Sequence, residues 1–332
     1  MASGRIEHHS RFVRSALRLG GDVPVGMDVL IVSYQSAATV SAALASVLAC
    51  PRVAGTVVVD NASSDRSAEM ASAAGAERVV RNAENVGFAA AVNRGLRDCH
   101  SDYVLLLNPD ATIDAIALEQ LAAALDAAPA AVMAGPVLLA DDGRVELGAR
   151  RFSSVVNRLL WHMPLPWRPA WATPEYPDSV ALAAAADPRP VDYLWGAALL
   201  VRRRFLDEIG GLDERFFLYS EDEDLGRQAR ARGYLTLLVP RARARHIGGA
   251  STPDEALAQA RVIAANAQLL EKWEGKAAAL WYRRAIGPVL ALRAAVLRLA
   301  GRREEARLAV RIRWMLRSSA DDLLPRVTST TL

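Results

Sequence analysis

Two carboxylates follow apolar segments that are typical of buried strands. Asp60 comes directly after the β-branched run 57–59, and Asp110 follows the apolar run 103–107 across Asn108 and Pro109. A carboxylate at the end of a strand can accept a hydrogen bond from a ribose hydroxyl or a nucleobase N–H. It can also hold a hard divalent ion together with a diphosphate. Each segment taken alone fits an ordinary turn or helix cap equally well, because Asn, Pro, Asp and Ser favour such positions.

Four consecutive carboxylates, from Glu221 to Asp224, follow the aromatic segment 216–219. Like charges this close repel each other, which raises the pKa of at least one carboxyl group. Such a group can act as a general base that takes a proton from a hydroxyl. The four residues also suit the first turn of a helix, where the helix dipole favours negative charge. This alternative applies most directly to Glu223 and Asp224.

A single histidine, His246, stands before Gly248 and Gly249 near the end of the folded pattern. A histidine that follows a strand can complete a metal site through a ring nitrogen. A lone histidine is also common as a structural or surface residue, so this position is a candidate only in combination with Asp110.

The elements that would position these residues alternate between short strands and helices. Strands are predicted at 29–33, 57–60, 78–81 and 103–107, and helices at 39–49, 64–74, 89–98 and 116–125. This alternation predicts an α/β fold with a parallel, doubly wound sheet. Ligands of such sheets bind beyond the carboxyl ends of the strands. Ser33, Asp60, Asn108 and Asp110 stand at those ends.

The second half of the chain is less regular in pattern. A hairpin is predicted from 132–139 and 144–149 around the turn 141–143. Residues 152–190 are rich in Pro and Trp, and we expect an irregular loop region there. Further predicted elements are an ordered segment at 191–201, helices at 203–209 and 221–232, a last strand at 235–239, and helical structure from 255 to about 318.

The composition fits a protein with a large buried core and argues against disulfide-rich and membrane-spanning proteins. The chain has 332 residues, of which 52% are apolar, and this is enough for a substantial core. Cys50 and Cys99 are the only cysteines, which excludes a disulfide framework and a Cys-based zinc site and indicates a reducing, intracellular setting. No apolar run is long enough to predict a transmembrane helix, and residues 1–26 lack the pattern of a signal peptide.

Charge is distributed unevenly along the chain. The net charge is only +3, yet residues 283–317 contain ten Arg against Glu304 and Glu305. This basic segment predicts either an amphipathic helix that lies on an anionic membrane or a helical bundle with Arg facing solvent.

Six segments in this order resemble the family-two inverting glycosyltransferases with a GT-A fold. The similarity is closest to the rhamnosyltransferase-like branch, which builds bacterial cell-wall and surface polysaccharides. It covers residues 27–250 approximately. The segments that carry it are Val-Leu-Ile-Val-Ser-Tyr at 29–34, Val-Asp-Asn-Ala-Ser-Ser-Asp at 59–65, Asn-Val-Gly-Phe-Ala-Ala-Ala-Val-Asn-Arg-Gly at 85–95, Leu-Asn-Pro-Asp at 107–110, Trp-Gly-Ala at 195–197, and Gly-Gly-Leu-Asp-Glu-Arg-Phe-Phe at 210–217 leading into Glu221 and Asp222.

The resemblance implies a role for particular residues. Asp222 would be the catalytic base, and Asp110 would bind a divalent metal, Mg²⁺ or Mn²⁺, with His246 as second ligand. Acceptor-binding residues would be Trp195, Gly196 and Glu221. The residues that would bind the nucleotide sugar are Ser33, Tyr34, Asp60, Asn85, Gly87, Arg94 and Asn108.

The sequence departs from the family pattern at Asn108, where many relatives carry Asp in an Asp-x-Asp motif. Asn keeps a carbonyl ligand but loses a charge, so we expect weaker metal binding in the absence of nucleotide. The resemblance implies a dTDP- or UDP-sugar as donor, with dTDP-rhamnose as the leading prediction. UDP-galactofuranose and other UDP or GDP sugars stay open.

The domain organisation expected from the resemblance has four parts. A disordered leader (1–26) precedes a GT-A glycosyltransferase domain (27–250), which is a Rossmann-like nucleotide-binding sheet with helices on both faces. A basic C-terminal helical region (251–320) and a tail (321–332) follow. We expect a cytoplasmic enzyme, peripheral on the inner face of the cell membrane through residues 283–317, acting on a glycan or polyprenyl-linked acceptor.

Two other classes of function also fit parts of the sequence. A nucleotidyltransferase also combines a nucleotide-binding α/β sheet with a metal, but a Gly-rich loop with a basic residue is usual near its first strand, and residues 33–36 contain neither. A nucleic-acid-binding protein could use the ten Arg of the C-terminal segment. Trp314 is the only aromatic residue interleaved with those charges, so no nucleic-acid partner is expected.

Overall fold

The protein is described here by a computed structural model covering residues 26–164, 170–248, 254–317 and Leu323. The expected leader, apart from Gly26, and the expected tail, apart from Leu323, lie outside the described residues.

Twelve strands and eleven α-helices are present in the described residues. The strands are β1 (Met27–Ser33), β2 (Val53–Asp60), β3 (Arg78–Arg81), β4 (Tyr103–Leu107), β5 (Ala111–Ile113), β6 (Ala131–Leu139), β7 (Val145–Glu146), β8 (Ala149–Arg150), β9 (Arg189–Val191), β10 (Tyr193–Leu194), β11 (Ala198–Arg202) and β12 (Leu235–His246). The helices are α1 (Val40–Leu48), α2 (Ser67–Ala73), α3 (Phe88–Leu96), α4 (Ala115–Ala127), α5 (Val155–His162), α6 (Ser179–Ala184), α7 (Arg203–Ile209), α8 (Glu221–Ala231), α9 (Glu255–Glu274), α10 (Lys276–Leu299) and α11 (Arg303–Met315).

The first four strands form a parallel sheet in the order β3-β2-β1-β4. All seven residues of β1 and all five of β4 are buried. Continuous apolar runs of this kind are typical of parallel strands covered on both faces. The parallel arrangement predicted from the alternating pattern is therefore confirmed for this half of the chain.

The sheet continues with mixed strand directions beyond the four strands on which the parallel prediction is based. β11 pairs antiparallel with both β4 and β6, and β12 runs parallel to β6. The full sheet has ten strands along the path β3-β2-β1-β4-β11-β6-β12-β5, with β7 and β9 paired at its side. The α/β class with helices on both faces is confirmed, since separate apolar clusters cover the two faces.

The predicted hairpin at 132–149 is confirmed only in its first part. β6 pairs with β7, and Leu139 is aligned with Val145. β8 leaves this hairpin and pairs instead with β10 in a separate two-stranded sheet. This second sheet brings Arg150 beside the segment that follows β10.

The segment 152–190 is more ordered than the sequence predicts. It contains α5, a 3₁₀ turn at Ala170–Ala172 and α6. α5 begins with a capping box in which Ser154 and Asn157 satisfy each other's backbone N–H groups. Arg158 is its one fully buried residue, and its apolar residues Val155 and Leu159 are partly buried against an apolar cluster formed by the C-terminal helices.

The last strand is longer than predicted and reaches His246. Pro240 interrupts its apolar run, and from 241 to 245 exposed Arg alternates with buried Ala. This two-residue period is the signature of a strand. β12 carries His246 to β5, where it is aligned with Ala111.

Three helices, α9 to α11, form the C-terminal helical region with its own apolar cluster. Within the described part of the chain, none of the helices is both long enough and apolar enough to cross a bilayer. Cys50 and Cys99 are buried free thiols.

Candidate active site

The carboxyl ends of β1 and β2 lie side by side, because Ser33 is aligned with Asp60 in the parallel ladder. Both residues are buried. Among the described residues, neither Ser33 Oγ nor Asp60 Oδ1 has a hydrogen-bond partner, whereas Asp60 Oδ2 accepts a bond of 3.2 Å from the Ser63 N–H. Buried polar atoms are normally bonded. These two oxygens are therefore available to form hydrogen bonds with a ligand.

Tyr34 begins a loop that is fastened to the loop after β2. The half-buried Tyr34 accepts a 3.0 Å hydrogen bond from Ser36 Oγ through its carbonyl group. The N–H of Gln35 donates to Ser63 Oγ, and that of Ala37 donates to Asp65 Oδ2, each at 3.0 Å. These bonds hold the two loops together at the edge of the sheet where Ser33 and Asp60 end.

The Ser63 and Ser64 side chains bond Gln35 rather than cap a helix, whereas Asp65 Oδ1 accepts a 3.0 Å bond from the Ser67 N–H at the start of α2. Helix α2 begins only at Ser67, and its N-cap residue Arg66 makes no side-chain cap bond. Gln35 and Ala62 adopt positive φ angles of 53° and 62°. Such strained backbone clusters at ligand sites.

A chain of amide side chains connects three of the expected donor-site residues. Asn61 Nδ2 donates to Asn85 Oδ1 at 2.8 Å and to the Gly87 carbonyl at 3.2 Å. Asn82 Nδ2 donates to Asn61 Oδ1 at 2.9 Å, and Arg94 Nη1 donates to Asn82 Oδ1 at 2.8 Å. Sequence reasoning assigned no role to Asn61 or Asn82, although both are buried and organise this group. The one feature of the sequence that could have indicated a role for Asn61 is its position directly after Asp60, at the end of a buried strand.

Position 87 requires a glycine because its backbone lies very close to the aromatic loop that precedes α8. It has a φ of +84°, and a Cβ atom at this position would lie 2.6 Å from the Phe217 carbonyl oxygen. The neighbouring Phe88 N–H donates to that same oxygen at 2.6 Å. The start of α3 is thereby joined to the loop that leads into Glu221 and Asp222.

The two expected metal ligands, Asp110 and His246, meet beside Asn108, although 138 positions separate Asn108 from His246. His246 Nε2 lies 3.5 Å from Asp110 Oδ1 and 3.4 Å from Asn108 Nδ2. The pairing of β5 with β12 and a 3.1 Å bond from the Ile247 N–H to the Asp110 carbonyl hold them there. No group of three or more His, Cys, Asp or Glu side chains arranged for a metal occurs within the described residues. The protein thus offers two strong ligands, Asp110 and His246.

Segment 195–197 connects the metal-site residues with the acidic turn. The Asn108 N–H donates to the Ala197 carbonyl at 2.9 Å. One residue earlier, Gly196 lies against Asp222, since a Cβ atom built on Gly196 would be 4.0 Å from Asp222 Cβ. Adjacent residues of one short segment thus touch both groups of candidate residues, which places Asp222 beside the Asn108–Asp110 loop.

The first turn of α8 presents two carboxyl groups with shifted pKa values. Burial raises the pKa of Asp222 to about 6, against the opposing effect of the Glu223 and Gly196 N–H groups. Burial and the neighbouring Asp222 charge raise the pKa of Glu221 to about 8. Glu221 Oε2 is buried without a partner among the described residues. Both carboxyl groups of the pair therefore hold a proton to a higher pH than an exposed carboxyl group does.

Glu223 and Asp224, expected mainly to suit the helix dipole, turn away from this pair and anchor α8. Both Glu223 oxygens lie 2.7 Å from Arg158 Nη2 of α5. Asp224 accepts from Lys272 Nζ at 2.8 Å and from Trp273 Nε1 at 2.7 Å, both on α9. The four consecutive carboxylates thus divide into two that face the site and two that fix the helix carrying them.

Arg150 is a further candidate that sequence reasoning missed. Its guanidinium group lies 4.0 Å from the centre of the Trp195 ring. Burial lowers the pKa of Arg150, while nearby acidic groups, Asp222 among them, oppose that shift. In the described part of the chain no carboxylate lies within ion-pairing distance of it, and Nη1 bonds only its neighbour's carbonyl, that of Ala149, at 3.0 Å. A cation so placed is available to an anionic group of a substrate.

Comparison with known proteins decides the family. Glycosyl transferase family 2 matches residues 28–210, which is more than half of the chain. The chain belongs to this family. An N-acetylglucosaminyl-diphospho-decaprenol L-rhamnosyltransferase of Mycobacterium tuberculosis is 30% identical over 241 residues, covering 68% of this chain and 77% of the relative. The protein is therefore a rhamnosyltransferase-like glycosyltransferase, as the six sequence segments indicated.

Solved structures agree with the fold of this glycosyltransferase. A mannosyltransferase from Pyrobaculum calidifontis, in complex with GDP-Man and Mn²⁺, superimposes with a TM-score of 0.54 at 16% identity and covers 94% of both chains. The structure of GalNAc-T7 with UDP, GalNAc and Mn²⁺ gives a TM-score of 0.54 at 17% identity. It matches 73% of this chain, which spans only 48% of that longer one.

Proposed function

We propose that this glycosyltransferase moves L-rhamnose from dTDP-rhamnose to a hydroxyl group of a polyprenyl-linked glycan, with inversion at the anomeric carbon. The observation that carries the proposal is the position of the Asp222 carboxyl group, which segment 195–197 holds beside the Asn108–Asp110 loop. The choice of donor and acceptor draws on the name of the mycobacterial relative, an L-rhamnosyltransferase that acts on a decaprenol-linked sugar. Cell-wall or surface polysaccharide synthesis is the setting that such an acceptor implies.

The donor nucleotide would lie across the carboxyl ends of β1 and β2. The unpartnered oxygens of Ser33 and Asp60 suit the N–H groups and hydroxyls of a base and a ribose. Tyr34 would cover the base, and the network of Asn85, Gly87 and Arg94 would border the diphosphate and sugar.

A divalent ion, Mg²⁺ or Mn²⁺, fits the residues at the end of β12. Asp110 supplies a carboxylate, His246 a ring nitrogen and Asn108 an amide oxygen if its side chain turns. Two strong protein ligands leave several coordination positions for diphosphate oxygens and water, as Mg²⁺ commonly requires. The ion would then bind together with the nucleotide sugar, and when bound it would neutralise charge on the departing diphosphate.

Asp222 would act as the general base in a single displacement. The acceptor oxygen forms a bond to the anomeric carbon while the bond from that carbon to the diphosphate oxygen breaks. The hydroxyl proton passes to Asp222, and the nucleoside diphosphate leaves with the bonding electrons. The transition state is expected to have oxocarbenium-ion character, as at other glycosidic centres. Trp195, Gly196 and the protonated Glu221 would orient the acceptor.

The nucleotide product and the donor preference test this function. Purified enzyme is given dTDP-rhamnose, UDP-galactofuranose, and other UDP and GDP sugars, each with a polyprenyl-diphosphate glycan acceptor and Mg²⁺ or Mn²⁺. We expect dTDP and a rhamnosylated acceptor in equal amounts, and slower turnover of the other donors. Release of pyrophosphate would instead indicate nucleotidyl transfer. A faster reaction with a UDP sugar would overturn the rhamnosyl assignment and favour a galactosyl or other hexosyl transfer.

A further inference from the structure

Helix α10 is apolar on two opposite faces. One face packs into the C-terminal apolar cluster through Ala279, Tyr282, Ile286 and Leu290. The other face is exposed and carries Trp281 (67% exposed), Leu292 (48%), Val296 (36%) and Leu299 (90%). At 100° per residue these four positions fall within about 60° of one another, on the side away from the buried residues. The exposed stripe spans about 27 Å along the helix axis.

An outward apolar stripe of this length is unusual for a helix in a soluble bundle. The outer face of such a helix is normally polar, and large exposed apolar patches commonly mark a docking surface. α11 packs against α10 and adds exposed Val310 and Trp314. We call these six residues, Trp281, Leu292, Val296, Leu299, Val310 and Trp314, the α10–α11 apolar surface.

Basic side chains lie on the same two helices as this surface. Four exposed Arg side chains have no carboxylate within ion-pairing distance among the described residues. They are Arg284, Arg298, Arg303 and Arg307. Other Arg of the same two helices are paired, as Arg311 is with Asp254 at 2.6 Å. The unpaired guanidinium groups are therefore free to meet an anionic partner.

Of three kinds of partner, only one would use both the apolar and the basic groups of this surface. A second copy of this chain would bring like charges together, which is unfavourable. A nucleic acid would use the Arg groups but not a stripe of Leu and Val. An anionic bilayer uses both, since Trp and Leu enter the boundary between headgroups and acyl chains while Arg meets lipid phosphates.

We propose that the α10–α11 apolar surface docks this protein on an anionic phospholipid bilayer. The interaction is peripheral, with the helices lying in the plane of the bilayer. It does not depend on which sugar is transferred, so it goes beyond the proposed activity. The Lys272 and Trp273 bonds from α9 to Asp224 connect the same helical region to α8. Docking would therefore hold the helix bearing Asp222 at a fixed orientation to the membrane.

Vesicle flotation of the full-length chain tests the proposal. The probes are vesicles of phosphatidylcholine alone and of phosphatidylcholine mixed with phosphatidylglycerol. We expect flotation with the anionic vesicles, weakening as salt is raised. The triple variant Trp281→Ser, Leu292→Ser, Leu299→Ser should bind at least about tenfold more weakly, because its apolar contact is lost. Arg303→Gln with Arg307→Gln should weaken binding at low salt and flatten the salt dependence.

The control is Ile116→Ser, at a residue of α4 that is 71% exposed. It should float as the unaltered protein does, and all variants should keep the same circular dichroism spectrum and melting temperature. Three outcomes would overturn the proposal. They are equal flotation of the triple variant and the unaltered protein, no flotation of the unaltered protein, and a concentration-dependent dimer that the triple variant abolishes.

Discussion

Two adjacent carboxyl groups in the first turn of α8, those of Glu221 and Asp222, have raised pKa values. Both are raised in pKa by burial, but Glu221, to about 8, is raised further than Asp222, to about 6. The difference follows from the Coulomb repulsion that the ionised Asp222 exerts on Glu221 and from the N–H groups beside Asp222. Raised pKa values of this kind suit carboxyl groups that exchange protons with a bound hydroxyl group.

Glu221→Gln should change how stability depends on pH. The unfolded Glu221 ionises near 4.5 and the folded one near 8, so between these values the native state holds a proton that the unfolded state has released. The free energy of unfolding therefore falls as pH rises through this window. Gln removes that loss, and we expect the melting temperature of the variant, relative to the unaltered protein, to increase steadily from pH 5 to pH 8.

Asp187→Asn, at an exposed position, is the matched control for this series and should give a difference that does not vary with pH. A Glu221→Gln variant whose relative melting temperature stays flat or falls over the window would show that Glu221 ionises normally in the folded protein.

At the residue scale the sequence located the polar side chains that end buried strands. Ser33 and Asp60 could be predicted because an apolar run followed by a polar residue fixes where a strand ends. Arg150 could not, because its importance arises from β8 pairing with β10, which brings it to Trp195. No local pattern around Arg150 indicates that long-range pairing.

At the element scale, α8 is positioned by ion pairs to other helices. Glu223 is buried against Arg158 and also accepts from Arg227 Nε at 3.0 Å. Arg158 in turn bonds Asn266 of α9, so α5, α8 and α9 share one polar network. The sequence did not predict α5 because a helix of eight residues with only a short apolar face, including Val155 and Leu159, gives a weak periodic pattern within a Pro- and Trp-rich segment.

Glu223→Gln should destabilise the fold by about 3 kcal/mol, because removal of one partner leaves Arg158 as an unpaired buried charge. Adding Arg158→Met should recover part of this loss, since an apolar side chain at that position no longer needs a counter-charge. Urea unfolding of both single variants and of the double variant measures the coupling.

The matched control is Glu69→Gln, which breaks the exposed Arg81–Glu69 pair and should have little effect. If the Glu223 and Arg158 changes were simply additive, or if Glu223→Gln were as mild as the control, the buried pair would not be the anchor of α8.

At the scale of the whole molecule, the alternating first half could be predicted and the mixed second half could not. Parallel strands joined by helices leave a local period, and the antiparallel insertion of β11 between β4 and β6 leaves none. The convergence of Asn108, Asp110 and His246 also depends on long-range strand pairing. The family resemblance named these residues together, and the ladder between β5 and β12 shows how they meet.

In the proposed function, the fold brings Asp222 to an acceptor hydroxyl beside the donor site. Two parts of the fold position Asp222, namely segment 195–197 and the C-terminal helices that fix α8. If this is correct, replacing one carboxylate oxygen of Asp222 with an amide nitrogen should remove activity. The bonds that hold α8 through Glu223 and Asp224 should remain.

Turnover by Asp222→Asn is the most direct measurement of that claim. The assay follows nucleoside diphosphate release and acceptor glycosylation with a supplied acceptor at saturating donor. Loss of a general base predicts a kcat at least about 100-fold below that of the unaltered enzyme, with a melting temperature no lower than that of the unaltered enzyme. A kcat within a few-fold of the unaltered enzyme would contradict the account and show that Asp222 is not the base.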